Sequence, residues 1–180
     1  MIAECIIFLA TLGSGEMPSD NYMIQQQMSC NQSVPKLMQH QAEFIYEFFD
    51  ESSYDEVVRI GWCESRGKTS AYRSDNGDSG VMQFVSWTWN WIAEEYDLPM
   101  WNDWVIMYND RPYTSDRVSR TSMGFSQERV QFTPYYNLLF ASLLAEDIYG
   151  RTQWRDWSSS EWCWGDEKKW RSKWLLEESL

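Results

Sequence analysis

The 180-residue sequence has little histidine, and its cysteines do not form the close pairs that usually bind zinc. His40 is the single histidine, and no CxxC pair occurs among Cys5, Cys30, Cys63 and Cys163. A structural zinc site draws four ligands from Cys and His at short spacings. The sequence therefore predicts no metal site and no cofactor, and we interpret His40 as a structural side chain.

Positive charge is also scarce. The chain has 15 Lys and Arg against 27 Asp and Glu, which gives a net charge of -12. Non-specific nucleic-acid binding depends on basic side chains that neutralise phosphates, so the composition argues against a nucleic-acid partner. The basic stretch over residues 168–173 is interpreted as a solvated helix face.

Long apolar runs are missing as well. The apolar stretch from Cys5 to Leu12 is far shorter than the ~20 residues of a membrane span, so no span is predicted. It has the length of a signal-peptide core, but Glu4 stands where positive charge belongs. We expect an N-terminal arm or weak signal-like segment over residues 1–34 and one folded domain over residues 35–180.

Aromatic residues are the abundant class. The sequence contains 12 Trp, 10 Tyr and 8 Phe, which together make up 17% of it. Core packing is the first interpretation of the tryptophans, above all of Trp89. Stacking platforms for sugar rings along a cleft are the second interpretation, for instance at Trp87, Trp104 and Trp154.

Hydrophobic periodicity predicts a mainly helical fold. Apolar residues at three- and four-residue spacing, together with capping signals, predict helices over residues 35–50, 53–65, 86–96 and 133–150, and a last helix from Asp166 that carries Trp170 and Trp174. Ser53 with Glu56 has the pattern of a capping box. Residues 66–80 have the composition of tight turns or a short hairpin. Residues 97–131 are long for a connection and are interpreted as a functional insertion or a flap.

Two blocks of the sequence carry a recognisable motif. Residues 60–67 read IGWCESRG, residues 77–84 read GDSGVMQF, and Thr88-Trp89 follows. This order resembles the lysozyme-like superfamily, in particular soluble lytic transglycosylases, goose-type lysozymes and resuscitation-promoting factors. A later block, FTPYYN over residues 132–137 with tryptophans and Cys163 after it, is similar to the end of compact members. The resemblance covers roughly residues 54–165.

The resemblance implies a function for Glu64. It implies an α+β lysozyme-like domain, with a small loop or hairpin lining a sugar cleft, that cleaves the β-1,4 bond between N-acetylmuramic acid and N-acetylglucosamine in peptidoglycan. A glycosidic oxygen leaves poorly until it is protonated, so the reaction needs a carboxyl that holds its proton near neutral pH. Trp62 and apolar helix neighbours would desolvate Glu64 and raise its pKa. Glu64 is therefore the predicted general acid.

The resemblance also implies a set of substrate-binding residues: Ser65, Gly80, Met82, Gln83, Tyr136 and Asn137. The Gln83 amide has donors and an acceptor that suit an N-acetyl group, although the same amide can stabilise a turn. Gly80 is expected to permit a close backbone approach or a positive φ. Ser65 and Met82 are expected to support the cleft rather than react.

The second carboxylate decides between two reactions. An inverting hydrolase needs a second carboxylate about 6.5 to 9.5 Å from the acid to activate water. Asp75 and Asp78 lie in the loop where that group belongs, but each can equally stabilise its own turn. Lytic transglycosylases need no such group, because a hydroxyl of the substrate attacks and leaves an anhydro sugar. The sequence leaves both reactions open.

A disulfide is implied by the same resemblance. Resuscitation-promoting factors join the residue before the catalytic Glu to a Cys in the terminal Trp-rich segment, which corresponds here to Cys63 and Cys163. Such a bond indicates an oxidising compartment, so an extracellular, periplasmic or virion-associated location is expected. Cys5 with Cys30 is a possible second pair, although cleavage of a signal would remove Cys5.

Two other functions stay open. The acidic composition is unusual for an enzyme that attacks an anionic wall, so the chain can instead be a wall-binding or virion structural module with weak or no activity. A phage particle or other virion proteins are then its partners. A chitinase-like activity on an uncharged polymer is a third hypothesis, which the negative charge would tolerate better.

Overall fold

The computed structural model describes residues 2–12, 20–113, 124–146 and 153–178. The helices are α1 (Ile2–Thr11), α2 (Asp20–Asn31), α3 (Lys36–Gln39), α4 (Ala42–Phe48), α5 (Tyr54–Ser65), α6 (Ser86–Tyr96), α7 (Pro134–Ala145), α8 (Glu161–Trp164) and α9 (Glu167–Glu178). The strands are β1 (Tyr72–Arg73), β2 (Asp78–Ser79), β3 (Trp104–Tyr108), β4 (Arg111–Pro112) and β5 (Phe125–Arg129). The prediction of a mainly helical α+β fold is confirmed.

Helix α5 lies at the centre of the core. It contacts α1, α3, α4 and α8, and its buried side chains include Val57, Ile60 and Trp62. The predicted capping box does not form, because Ser53 makes no side-chain cap. Its hydroxyl instead accepts a hydrogen bond from Gln153 Nε2 at 2.9 Å. The helix itself matches the predicted range closely.

The N-terminal segment differs from the expected arm in the part that the structure describes. Helix α1 packs against α4 and α5, with Ile2 and Ile6 fully buried. Helix α2 follows at residues 20–31, and a disulfide between Cys5 and Cys30 joins the two helices. Of the apolar residues that suggest a signal core, Cys5 and Ile6 are buried in the core, and Ile7, Phe8 and Leu9 are partly buried against it. The domain division at residue 34 stays a prediction.

Two other predicted helices differ in their bounds, and a third is confirmed. The predicted helix over residues 35–50 is broken at His40 and Gln41 into α3 and α4. Helix α6 has the predicted range and ends at Tyr96, because Asp97 adopts a left-handed conformation before Pro99 is reached. Helix α7 begins at the Thr133 cap as predicted but ends at Ala145, and residues 147–150 lie outside the described ranges. The last helix is confirmed, with both of its tryptophans fully buried.

The long connection between α6 and α7 contains a small sheet. Its strands run in the order β4-β3-β5 and are antiparallel, with Trp104 opposite Arg129 and Tyr108 opposite Phe125. In β3 only Met107 is fully buried. The sequence analysis predicts no strand in residues 97–131, so the strands within residues 104–112 and 125–129 are a finding of the structure. Residues 114–123, inside the predicted insertion, lie outside the described ranges.

The loop after α5 forms the short hairpin that its composition allows. Strands β1 and β2 pair with Tyr72 opposite Ser79 and Arg73 opposite Asp78. The Gly77 N–H closes the turn by donating to the Arg73 carbonyl oxygen at 2.8 Å. This hairpin stands directly after the C-terminal end of α5 in the chain and forms one side of the candidate site.

The disulfide between Cys63 and Cys163 is present, as the resemblance implies. It joins the last turn of α5 to α8 with a Cα–Cα distance of 6.0 Å. The bond therefore fixes the residue next to Glu64 against the Trp-rich segment.

Within the described ranges, no helix has both the length and the apolar composition that a membrane span requires.

Candidate active site

Glu64 lies in the last turn of α5 and faces an open cleft of about 280 Å³. The helix ends because Arg66 adopts a left-handed conformation and its N–H donates back to the Trp62 carbonyl oxygen. The other walls come from the hairpin, the turn over residues 82–85, the start of α6, Leu144 of α7 and the segment over residues 156–159. Side chains from several parts of the chain therefore meet around this carboxyl.

Burial raises the pKa of Glu64 above its ordinary value. A hydrogen bond from the Ser160 hydroxyl and the positive charge of Arg73 lower this pKa, and the negative charge of Asp78 raises it. Burial is the largest of these influences, so the net direction is upward. The carboxyl keeps its proton to a higher pH than an exposed glutamate, as a general acid requires.

The structure brings one of the two candidate second carboxylates to the cleft. Asp78 is almost fully buried, lines the cleft, and places Oδ2 3.7 Å from Arg73 Nη1. Asp75 is exposed in the turn of the hairpin and does not belong to the cleft lining. Among these two, only Asp78 shares the cleft with Glu64.

Gln83 stabilises a turn and also lines the cleft. Its backbone has a φ of 54°, and its Nε2 donates to the Gly80 carbonyl oxygen at 2.9 Å and to the Ala71 carbonyl oxygen at 3.4 Å. The amide therefore ties the hairpin to the following turn. Gln83 also lines the cleft beside Glu64.

Asn137 is fully buried and holds the turn after β2. Its Oδ1 accepts a hydrogen bond from the Met82 N–H at 2.7 Å, and its Nδ2 donates to the carbonyl oxygens of Ser79 and Gln131. Gly80 has a φ of 81° and packs directly against the Asn137 side chain. The positive φ expected for Gly80 is confirmed, and the close approach is to protein atoms. Neither residue lines the cleft.

The remaining predicted residues support the walls. The Ser65 hydroxyl donates to the Gly61 carbonyl oxygen at 3.0 Å and accepts from the Gly67 N–H at 3.1 Å, which caps the end of α5. Met82 is buried and lines the cleft, and its carbonyl oxygen accepts from Trp157 Nε1 at 2.9 Å. Tyr136 is half-buried outside the cleft lining, and burial raises its pKa.

Two kinds of tryptophan occur around the cleft. Trp87 lines the cleft and is 72% exposed, and its role as a stacking platform stays a prediction. Trp89 is fully buried and stacks on Phe140 with ring centroids 3.8 Å apart, so its interpretation as a packing residue is confirmed. Trp154 is also buried.

Sequence reasoning missed several polar residues at the site, among them Arg73, Asp156 and Ser160. Arg73 and Asp156 line the cleft, and Ser160 lies close enough to Glu64 to lower its pKa. Arg73 was predictable from its place opposite Asp78 in a short hairpin. Ser160 and Asp156 have no local signal, because their segment is far from α5 in the chain and is held there by tertiary contacts, among them the disulfide between Cys63 and Cys163.

Comparisons with known proteins find nothing similar. No protein-family model matches the chain, and no match is found among curated proteins or solved structures. The resemblance to the lysozyme-like superfamily stays a prediction from the motifs.

Proposed function

We propose that this chain cleaves the β-1,4 bond between N-acetylmuramic acid and N-acetylglucosamine in peptidoglycan, with Glu64 as the general acid. The observation that carries the proposal is the half-buried Glu64 carboxyl, which faces an open cleft and has a raised pKa. A glycosidase needs a protonated carboxyl in this position, because the leaving oxygen must receive a proton as its bond to the sugar breaks.

The proposed reaction begins with proton transfer from Glu64 to the glycosidic oxygen. The bond between this oxygen and the anomeric carbon breaks, and positive charge develops on the sugar ring. In transglycosylation a hydroxyl of the same sugar then attacks the anomeric carbon and gives its proton to the Glu64 carboxylate, which restores the acid. In hydrolysis by inversion a water molecule attacks from the opposite face and gives its proton to a second carboxylate. The Ser160 hydroxyl, which donates to the Trp157 carbonyl oxygen at 3.0 Å, lies close enough to this carboxyl to lower its pKa.

Hydrolysis and transglycosylation require different roles of Asp78. In hydrolysis by inversion Asp78 is the base for water, since Asp75 lies outside the cleft lining. In transglycosylation Asp78 has no base role, and it only positions Arg73 and the hairpin.

Product analysis separates these routes. Purified peptidoglycan is digested with the wild type, with Glu64→Gln and with Asp78→Asn, and the soluble products are identified by mass spectrometry. Anhydro-muropeptides that Glu64→Gln fails to release support transglycosylation. Reducing-end products that both variants fail to release support hydrolysis with Asp78 as the base.

The two disulfides support a site of action in an oxidising compartment. Together with a wall substrate, this favours a protein that works outside the cytoplasm, either secreted, periplasmic or carried on a virion. Mass mapping of an unreduced digest of the native protein tests whether both bonds are formed.

The net charge of -12 favours a second candidate function. An acidic surface is repelled by an anionic wall, which suits a virion structural module better than an enzyme that attacks the wall. If the wild type and Glu64→Gln bind the wall equally and neither releases fragments, this second function is the correct one.

A further inference from the structure

Arg73 is the one basic residue among those that line the cleft in the described part of the chain. It ends strand β1, and the antiparallel register places it opposite Asp78. The same hairpin thus supplies one positive and one negative group, and both act on Glu64: the charge of Arg73 lowers the pKa of Glu64, and that of Asp78 raises it.

The guanidinium of Arg73 has donors to offer a ligand. Its side chain is 51% exposed, and the ion pair with Asp78 spans 3.7 Å, which is longer than a hydrogen bond. An arginine carries five N–H donors in a planar fork that fits a carboxylate. Because the contact with Asp78 is long, the N–H donors of Arg73 stay available to a ligand in the cleft.

The charges around the cleft make the position of Arg73 unusual. The protein as a whole carries a net charge of -12, and Asp156 lines the same cleft. An anionic glycan is therefore repelled by most of the surface. A neutral glycan needs no cation here, whereas an acidic one needs a positive group that is held close to the bond that breaks.

We infer that Arg73 binds the free lactyl carboxylate of muramic acid, which a peptidoglycan strand exposes where its stem peptide has been removed, and so makes the cleft select such strands over neutral N-acetylglucosamine polymers. This inference rests on the proposed function and deepens it, because it identifies the residue that separates muramic-acid strands with free carboxylates from strands whose carboxyls are amide-linked to peptides and from a chitin-like polymer. Arg73 acts here as a specificity residue, and proton transfer stays with Glu64.

The test compares two glycan oligomers of equal length that contain muramic acid. One carries free lactyl carboxylates, and in the other these carboxylates are converted to amides. Binding is measured by calorimetry on the full chain with Glu64→Gln, so that neither oligomer is consumed. We expect Glu64→Gln to bind the free-carboxylate oligomer about tenfold more tightly than the amide, as suits a partly exposed charge-assisted contact.

When Arg73→Gln is added to Glu64→Gln, we expect the preference for the free-carboxylate oligomer to disappear. When Arg73→Lys is added instead, we expect part of this preference to remain. The matched control is Arg171→Gln, which removes the same charge from α9, outside the cleft lining. It should leave the tenfold preference unchanged. For each variant, the affinities for the two oligomers are compared with each other. A general loss of folding weakens both affinities equally, so it cannot be mistaken for the loss of a preference.

Either of two results overturns the inference: equal affinity of Glu64→Gln for the two oligomers, or a preference that persists with Arg73→Gln. The proposed function is tested apart from this, by digestion of both oligomers with the wild type. If the wild type cleaves them and Arg73→Gln changes neither preference nor rate, only the role of Arg73 is wrong. If the wild type cleaves and binds neither, both proposals are wrong.

Discussion

Asn137 Oδ1 accepts a hydrogen bond from the Met82 N–H at 2.7 Å, across 55 residues of sequence. The bond connects helix α7 to the turn that runs from β2 into the cleft wall. Met82 and Gln83 both line the cleft. The Asn137 side chain therefore fixes the position of the cleft wall, although Asn137 does not line the cleft itself. The cleft therefore depends on two sets of residues: those that line it, and those such as Asn137 that hold the lining residues in place.

Replacement of Asn137 by Ala should destabilise the protein strongly. It leaves the Met82 N–H and two carbonyl oxygens without their buried partner, which we expect to lower the free energy of unfolding by about 3 kcal/mol. Urea denaturation measures the loss. Asn31→Ala is the control, because Asn31 is exposed and bonds only to exposed or part-buried amides, so its loss should stay under about 1 kcal/mol. Equal losses for the two variants would contradict this role of Asn137.

Two glycines with the same backbone conformation give a sharper test of the same contact. Gly77 and Gly80 have φ angles of 76° and 81°. A Cβ at Gly77 meets nothing within 4 Å, whereas one at Gly80 lies 2.5 Å from the Gln131 carbonyl oxygen and closer still to Asn137 Nδ2. Gly77→Ala should cost about 1 kcal/mol, from its φ alone.

Gly80→Ala should cost at least ~2 kcal/mol more than Gly77→Ala, since the turn and Asn137 must move apart. Urea denaturation of the two variants gives both values. The displaced turn should also reduce glycan cleavage by Gly80→Ala more than by Gly77→Ala. If the two alanines cost the same, the close packing of Gly80 on Asn137 does not limit stability.

Much of the site could be predicted from the sequence because its parts lie close together in the chain. The end of α5, the hairpin and the start of α6 follow one another over residues 60–89, and each has its own local signal. Asp78 was predicted at the cleft from its place in the loop and Gln83 from the resemblance, and both line it, whereas Asp75 does not. The role of Asn137 has no such signal, because its partners lie more than 50 residues away, apart from Gln131.

The N-terminal helices show why the rest could not be predicted. Helix α1 is apolar along most of its length, and a buried helix shares this composition with a signal core. Helix α2 has no apolar stripe, so periodicity could not identify it. In β3 the alternation of apolar and polar residues that identifies a strand is missing, because aromatic and aliphatic residues occupy its exposed face as well as its buried one.

The two disulfides should differ in their effect on stability and activity. In the chain-entropy model, loss of the Cys63–Cys163 bond, with a sequence separation of 100, costs about 4.7 kcal/mol, and loss of Cys5–Cys30, with a separation of 25, about 3.5 kcal/mol. Paired Cys→Ser variants and urea denaturation measure these values.

Activity separates the two bonds more clearly than stability does. The Cys63–Cys163 bond holds the segment with Ser160 against Glu64, so its removal should lower glycan cleavage even under conditions where the variant is folded. The Cys5–Cys30 bond lies between α1 and α2, and its removal should leave the activity of the folded protein near that of the wild type. The opposite order would mean that the bond beside Glu64 does not position the site.

The raised pKa of Glu64 gives a pH-dependent prediction of definite sign. Because burial raises this pKa in the folded state, the folded protein binds more protons than the unfolded chain between the two pKa values. Stability conferred by the protonated carboxyl is therefore present below the ordinary pKa of Glu and is lost as the pH rises through the folded pKa. Glu64→Gln has no such loss, so it should gain stability relative to the wild type as the pH rises, in urea denaturation at a series of pH values.

The same titration should appear in catalysis. Glycan cleavage needs protonated Glu64, so kcat/KM should fall as the pH rises through the raised pKa. The positive charge of Arg73 lowers this pKa, so Arg73→Gln should move the fall to higher pH, whereas Arg171→Gln should leave it in place. If Arg73→Gln moves the fall to lower pH, the charge of Arg73 does not act on the group that donates the proton, and Glu64 is not the acid.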